Sequence, residues 1–211
     1  MRTPVHNFKA EVYPKGDITQ WFGENEALYQ KHVIIKGVPL KGHNGIDIVR
    51  PHGEALYAIE KGTVIDVKSA PDGYGKHIRI VTETGNEWTY GHLSQILVKQ
   101  NDVVEEGQIV GLMGNTGFVV SGATPFWDYN PYRGTHLHLG LRKVKIVKTG
   151  GWSYPGSTLR IKTLNYDNGY FGAVDPMTEL MWAENAPTGD IIKTLQLTAV
   201  SLLNSLVNKL K

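Results

Sequence analysis

The chain has 211 residues, a formal net charge of +2 and 41% hydrophobic residues, which are ordinary values for a soluble globular protein. Such a mild charge argues against a nucleic-acid-binding protein, which would carry a dense basic stripe. The absence of cysteine excludes disulfides, a thiolate nucleophile and thiolate metal ligands. Metal chemistry would therefore depend on Asp, Glu and the eight histidines.

The N-terminal residues 1–15 are expected to form an extension ahead of the main domain. They contain no apolar run of signal-peptide length. No stretch of the chain reaches the roughly 18 apolar residues typical of a membrane span. We therefore expect no transmembrane segment, and any export would use a route that the sequence does not show.

Residues 16–150 have the pattern of short strands and turns, with no amphipathic helix of good length. Pro-Asp-Gly, Thr-Gly-Asn and Asn-Thr-Gly turn signals separate the runs. This pattern predicts an all-β domain, mostly antiparallel sheet in a sandwich or half-barrel, over residues 16–186. The runs richest in Val, Ile and Thr are 63–67, 78–82, 87–90, 108–112 and 137–147.

Two stretches interrupt this rhythm. Residues 118–133 are aromatic, contain two prolines and show no period, which predicts a long loop of the kind that is often functional. Residues 144–173, and 148–172 in particular, are irregular and are expected to add a hairpin.

The C-terminal residues 187–211 change character and predict an amphipathic helix after a Pro-Thr-Gly hinge. Its polar face is poor in Lys and Arg, which favours packing on the domain or self-association over a membrane-surface helix. The apolar positions recur at steps near three and four: Ile191, Ile192, Leu195, Ala199, Leu202, Leu203, Leu206 and Leu210.

A first candidate site surrounds His43 and Asp47, which are four residues apart with Gly45 between them. In an extended chain, residues an even number apart face the same side. Imidazole and carboxylate are both good zinc ligands. Such pairs arise often by chance, so this one predicts a metal site only together with further ligands.

Further candidate ligands come from His136 and His138, which lie at i and i+2 in a strand pattern with leucines on the opposite face. Two neighbouring imidazoles are costly to place on such a strand unless a metal or a reaction uses them. His92 ends another predicted strand.

A catalytic zinc ion takes three protein ligands and keeps one position open. His43, Asp47 and one of the two strand histidines would supply the ligands. The other strand histidine and His92 would handle protons. The spacing alone does not decide between His136 and His138.

Seven blocks of sequence, in order over roughly residues 16–182, resemble the lysostaphin-like (LytM-type) family of zinc endopeptidases. Each block is weakly specific alone, whereas the ordered set is highly specific. The blocks are ITQWFG at 18–23, HNGIDI at 43–48, GYG at 73–75, YGHLS at 90–94, GNTG at 114–117, HLH at 136–138 and VDP at 174–176.

The resemblance implies a metallopeptidase that hydrolyses peptide bonds of bacterial peptidoglycan at the cell wall, outside the cytoplasm. It implies one Zn²⁺ per chain, held by His43, Asp47 and His138. It also implies that His92 and His136 are the catalytic histidines around the metal. The partner would be the peptide part of peptidoglycan.

The chain departs from the family in its two inserted stretches and at Leu139-Gly140, where the family often has Phe-Glu. These changes affect the shape of the groove and leave the ligand set complete. The aromatic residues of the first insertion are expected to bind substrate along one wall: Phe126, Trp127, Tyr129 and Tyr132. The competing interpretation is a catalytically silent peptidoglycan-binding or regulatory protein on the same scaffold.

Overall fold

The structure is a computed structural model that describes residues 3–121, 124–125 and 132–180. Almost all regular structure in these ranges is β, and every paired strand is antiparallel, which confirms the predicted fold class. The strands are β1 (Ile18–Gln20), β2 (Ile34–Ile35), β3 (Val38–Pro39), β4 (Ile46–Ile48), β5 (Ala55–Tyr57), β6 (Gly62–Ser69), β7 (Lys76–Thr82), β8 (Asn86–Gly91), β9 (Gln95–Ile96), β10 (Val103–Val104), β11 (Ile109–Leu112), β12 (Val120–Ser121), β13 (Thr124–Pro125), β14 (Leu137–Ile146), β15 (Ile161–Thr163) and β16 (Ala173–Val174).

The main sheet runs in the order β1-β4-β14-β8-β7-β6-β10, and β15 and β16 also pair with β14. A second sheet has the order β5-β11-β9, and two isolated hairpins pair β2 with β3 and β12 with β13. The five predicted runs correspond to β6, β7, β8, β11 and β14. Because β14 lies between β4 and β8, the three strands that carry or adjoin the candidate histidines are neighbours.

The main core lies on one face of this sheet. Alternate residues of β8 and β14 point into it, so that Trp88, Tyr90, Leu137, Leu139 and Leu141 are at most 1% exposed. Burial of such large side chains contributes roughly 1.5–3 kcal/mol each. The core therefore holds in place the strands that carry the opposite-facing polar residues.

The second inserted stretch covers part of the other face of the sheet. β15 pairs with the end of β14, which gives the expected extra hairpin. Ile65, Val81, Val144 and Ile161 form a small second core beneath it, and Tyr154 and Leu159 pack against this cluster. As a result β8 is buried on both faces.

The structure describes the N-terminal part of the chain from residue 3, and its description of the C-terminal part ends at residue 180. Near the N-terminus Val5 is fully buried in the main core, and the carbonyl of Pro4 accepts a hydrogen bond from the Tyr57 amide. Residues 177–180 are helical, and Met177 and Leu180 pack into the same core. The predicted helix at 187–211 lies outside the described residues.

Helix α1 (Glu26–His32) was not predicted from the sequence. Together with the β2–β3 hairpin it fills the interval between the motif at 18–23 and His43. The helix has only seven residues and none of them is buried, so it leaves little periodic signal. Over the part of the chain that the structure describes, we find no helix with the length and apolarity required for a membrane crossing.

Candidate functional site

Strand pairing brings the candidate residues together from distant parts of the sequence. In the β4–β14 pair, His138 lies directly opposite Asp47. In the β14–β8 pair, His138 lies opposite Gly91, so His92 follows at the end of β8. A β-bridge between His136 and Gly114 fixes the start of β14.

His43, Asp47 and His138 form a compact group in which each residue offers one donor atom. The His43 Nε2 atom lies 2.9 Å from His138 Nδ1 and 3.1 Å from Asp47 Oδ1. The distance from His138 Nδ1 to the same Asp47 oxygen is 3.2 Å. All three side chains are nearly inaccessible to solvent.

These distances fit a tetrahedral metal ion. Metal–ligand bonds of about 2.0–2.1 Å give a tetrahedron edge of roughly 3.3 Å, close to the separations observed here. His43 is set up as a ligand because its Nδ1–H donates to the Trp21 carbonyl at 3.1 Å, leaving the Nε2 lone pair for the metal. Two imidazoles and a carboxylate are a donor set that zinc accepts.

Glycines pack against the other side of the His138 ring. A Cβ atom at Gly45 would lie 2.7 Å from Cε1 and 2.8 Å from Nε2 of His138, and 2.5 Å from the Leu139 carbonyl oxygen. A Cβ atom at Gly140 would lie 3.5 Å from Nε2. His138 Nε2 is buried and makes no hydrogen bond to any described residue. The ring is therefore oriented by packing and by its Nδ1 side.

His92 and His136 flank this group, with ring centroids 4.6 Å apart. The Nδ1–H group of His92 donates to the Thr116 carbonyl at 2.8 Å, and that of His136 donates to the Gly134 carbonyl at 2.7 Å. Each hydrogen bond leaves an Nε2 lone pair that can accept a proton. The Nε2 atom of His136 lies 3.6 Å from Asp47 Oδ2.

The backbone of His92 is strained, with φ at 62°. A non-glycine residue in the left-handed region costs on the order of 1–3 kcal/mol, and such strain clusters at functional sites. Pairing holds the strand before it, and the amide of His92 donates to the Tyr74 carbonyl at 2.8 Å. The cost is consistent with a requirement to aim the imidazole at the metal site.

The electrostatics of the group favour an ionised Asp47 and neutral His92 and His138. Burial alone would raise the pKa of Asp47, but His43, His136 and His138 outweigh it and hold that pKa well below its usual value. Burial lowers the pKa of His138 to about 4. Burial, together with His136 and His138, also holds the pKa of His92 well below its usual value. Anionic carboxylate and neutral imidazole are the forms that bind a cation.

We expect the free energy of unfolding of the metal-free protein to decrease as the pH falls from about 6.5 to about 4. The pKa of His138 is about 4 in the folded chain and about 6.5 in an unfolded one. Between these two pH values the unfolded state binds more protons than the folded state. The contribution of His138 to the free energy of unfolding is therefore complete above about pH 6.5 and is lost as the pH falls toward about 4. His92 acts in the same direction.

Urea unfolding of the metal-free protein across this pH range measures the effect. The control is His138→Gln, which should show a shallower dependence on pH. A free energy of unfolding that stays constant in the unsubstituted chain would contradict the expectation.

The site opens into a cleft of about 310 Å³. Its floor contains Asp47, His92, His136 and His138, and its walls are largely apolar. Most of these wall residues were not predicted from the sequence. The apolar part of the wall comes mainly from the segments 28–40 and 118–119, and Gln20, Asn44, Gly73 and Tyr74 complete the lining. The residues of the two segments are Leu28, Tyr29, His32, Val33, Ile35, Leu40, Phe118 and Val119.

Tyr29 is a cleft residue beside the metal group that was not predicted from the sequence. Its ring stacks on His43 with centroids 5.5 Å apart. Burial and the Asp47 carboxylate raise the pKa of Tyr29, so the phenol stays protonated and can donate a hydrogen bond. A tyrosine 14 residues before His43 in a non-periodic segment gave no sequence signal for this position.

The predicted aromatic wall can be placed only at one residue. Tyr132 is 68% exposed, its ring packs on His52 at a centroid distance of 5.4 Å, and it is not among the described residues that line the cleft. Phe126, Trp127 and Tyr129 lie outside the described residues. Within the same inserted stretch, β12 and β13 form a small hairpin.

Comparison with known proteins identifies related sequences. A peptidoglycan DD-endopeptidase of Vibrio cholerae, ShyA, is 37% identical over 101 residues, which are 47% of this chain and 20% of that protein. Lysostaphin of Staphylococcus simulans is 31% identical over 101 residues, again 47% of this chain and 20% of the relative. The murein hydrolase activator NlpD of Escherichia coli is 36% identical over 115 residues, 54% of this chain and 26% of that protein.

The chain thus spans about a fifth to a quarter of the length of these relatives. Residues 41–170, more than half of the chain, match the model of the family described as "Peptidase family M23". The matched region includes His43, Asp47, His92, His136 and His138. The chain belongs to peptidase family M23.

Proposed function

We propose that this protein is a zinc-dependent endopeptidase that hydrolyses peptide bonds of bacterial peptidoglycan. The observation that carries the proposal is the grouping of five polar side chains at one cleft. Three of them converge as metal donors within 3.2 Å of one another, and two more histidines lie beside them with Nδ1 bound to backbone carbonyls and Nε2 left as the basic atom.

In this proposal His43, Asp47 and His138 hold one Zn²⁺ ion. The fit rests on the near-tetrahedral spacing of their donor atoms and on the ionisation states that the site favours. Bound zinc would supply a Lewis acid that polarises a peptide carbonyl and lowers the pKa of a water molecule toward about 7.

His92 and His136 would move the protons of the reaction. When water attacks the peptide carbonyl carbon, one Nε2 atom accepts the proton that the water releases. The resulting imidazolium then donates a hydrogen bond to the developing oxyanion or delivers the proton to the leaving amine nitrogen. The Nδ1 hydrogen bonds to Gly134 and Thr116 hold both rings in the tautomer that leaves Nε2 basic.

The peptidoglycan substrate is supported by one relative in particular. ShyA is described as a peptidoglycan DD-endopeptidase, and the family match over residues 41–170 includes all five proposed site residues. Such a substrate would place the site of action at the cell wall, outside the cytoplasm. The C-terminal segment 187–211 would pack on the domain or mediate self-association.

A second candidate function is a regulatory or binding protein without peptidase activity. NlpD supports it, because this relative is described as an activator of murein hydrolases. The enzyme is favoured here because all five proposed metal-binding and catalytic positions are occupied by residues able to perform those roles.

The test is metal analysis of the purified protein combined with digestion of purified peptidoglycan with and without a chelator. We expect one zinc ion per chain and release of new amino termini that the chelator abolishes and added zinc restores. Bound zinc without any cleavage would favour the regulatory alternative. A protein that binds no zinc would overturn the proposal.

A further inference from the structure

The segment at residues 24–41, which we term the flap, buries Leu40 but leaves several other apolar side chains exposed. None of the residues of α1 is buried, and both strands of the β2–β3 hairpin are exposed. Leu28 is 43% exposed and Ile35 is 38% exposed. Exposed alkyl groups on a short helix and hairpin gain nothing for folding, which suggests that another molecule covers them.

The flap does not expose these groups evenly. Leu28 and Ile35 line the cleft beside Asp47 and His136, whereas Ile34, the neighbour of Ile35 on β2, is 59% exposed and does not line it. Successive residues of a strand point to opposite sides, so the hairpin turns one of its two isoleucines toward the metal site. Val33 and Leu40 also line this cleft.

Another part of the cleft lining is also apolar. Phe118, which is 43% exposed, and Val119 line the same cleft. Polar side chains other than those assigned above to metal and proton chemistry also line it, among them Gln20 and Asn44. A peptide bound over the metal group would place some of its side chains against the alkyl and aromatic groups of this lining.

We infer that the cleft selects peptides in which a residue beside the scissile bond carries an alkyl side chain, and that Leu28 and Ile35 of the flap recognise it. This inference rests on the proposed endopeptidase function and names its substrate class. A glycine-only peptide would leave the apolar walls in contact with water. Each methylene group buried on the flap favours binding by roughly fourfold, because burial contributes about 0.8 kcal/mol per methylene.

The experiment compares two synthetic peptides that differ only in having glycine or leucine on each side of the cleaved bond. The variants are Ile35→Ala and Leu28→Ala, and the matched control is Ile34→Ala, which removes the same side chain from the other side of β2. Cleavage is measured as kcat/KM with zinc-loaded protein. Binding is measured by calorimetry in zinc-loaded protein that also carries His136→Ala, so that the peptide is not consumed.

We expect Ile35→Ala and Leu28→Ala to lower kcat/KM and affinity for the leucine peptide about tenfold, with little change for the glycine peptide. Ile34→Ala should leave both unchanged. Equal effects of the two isoleucine substitutions, or equal binding of the two peptides, would overturn the inference. If neither peptide is cleaved, the proposed function fails. The inference is then decided separately by calorimetry, which shows whether the leucine peptide binds more tightly than the glycine peptide and whether Ile35→Ala removes that preference.

Discussion

Replacing His138 by alanine is expected to abolish metal binding and peptidase activity together. Its Nδ1 atom lies 2.9 Å from His43 Nε2 and 3.2 Å from Asp47 Oδ1, so the substitution removes one of three converging donors. Loss of an outer partner of a metal ligand already costs 10–100-fold in affinity, so loss of a ligand itself should cost at least about 100-fold. Zinc titration and peptidoglycan cleavage measure the two effects.

The matched control is His136→Ala. His136 is two residues away, just before β14, but its Nδ1–H donates to the Gly134 carbonyl and it is not one of the three converging donors. This variant should retain zinc and lose about 10²–10⁴-fold in activity, as expected for removal of a proton-transferring group. Equal loss of zinc in both variants would contradict the assignment of His138 as ligand and His136 as catalytic residue.

The second large effect is expected from Gly45→Ala. The added Cβ would lie 2.5 Å from the Leu139 carbonyl oxygen and under 3 Å from two atoms of the His138 ring. Strands β4 and β14 would have to separate, and the His138 ring would have to rotate away from Asp47. Overpacking of this kind costs about 1–3 kcal/mol in stability, and the displaced ring should weaken zinc binding as well.

Gly140→Ala provides the comparison, because Gly140 lies against the same His138 ring. There the added Cβ would meet its nearest neighbours at 3.4–3.6 Å, which is ordinary van der Waals contact. We expect thermal unfolding and zinc affinity close to those of the unsubstituted protein. If Gly45→Ala and Gly140→Ala behaved alike, close packing by Gly45 would not be what orients His138.

The fold class and the candidate residues could be predicted from local sequence. Alternation of apolar residues is a local property, so the runs that became β6, β7, β8 and β14 were recognisable without tertiary information. His43, Asp47, His92, His136 and His138 stood out because their spacing and order matched a family pattern. The alternation with leucines correctly placed His138 in a strand, whereas His136 lies just before β14 and is held by a β-bridge to Gly114.

The tertiary structure alone decided how these residues meet and what surrounds them. The pairing of β14 with β4 places His138 against Asp47, and the pairing with β8 brings in His92. The partners of His138 are 91 and 47 residues away in the sequence, and register over such separations is set by packing and not by local sequence. The close approach of Gly45 to His138 and the left-handed backbone of His92 also depend on that packing.

The apolar walls of the cleft could likewise not be predicted from the sequence, because their position depends on the tertiary structure. Leu28 and Ile35 follow no helical or strand period that sequence analysis could detect, since α1 has seven residues and β2 has two. Their position in the same cleft as Asp47 and His138 follows from the tertiary fold. The sequence determined which chemistry the site can perform, and the tertiary structure determined which surfaces a substrate would meet there.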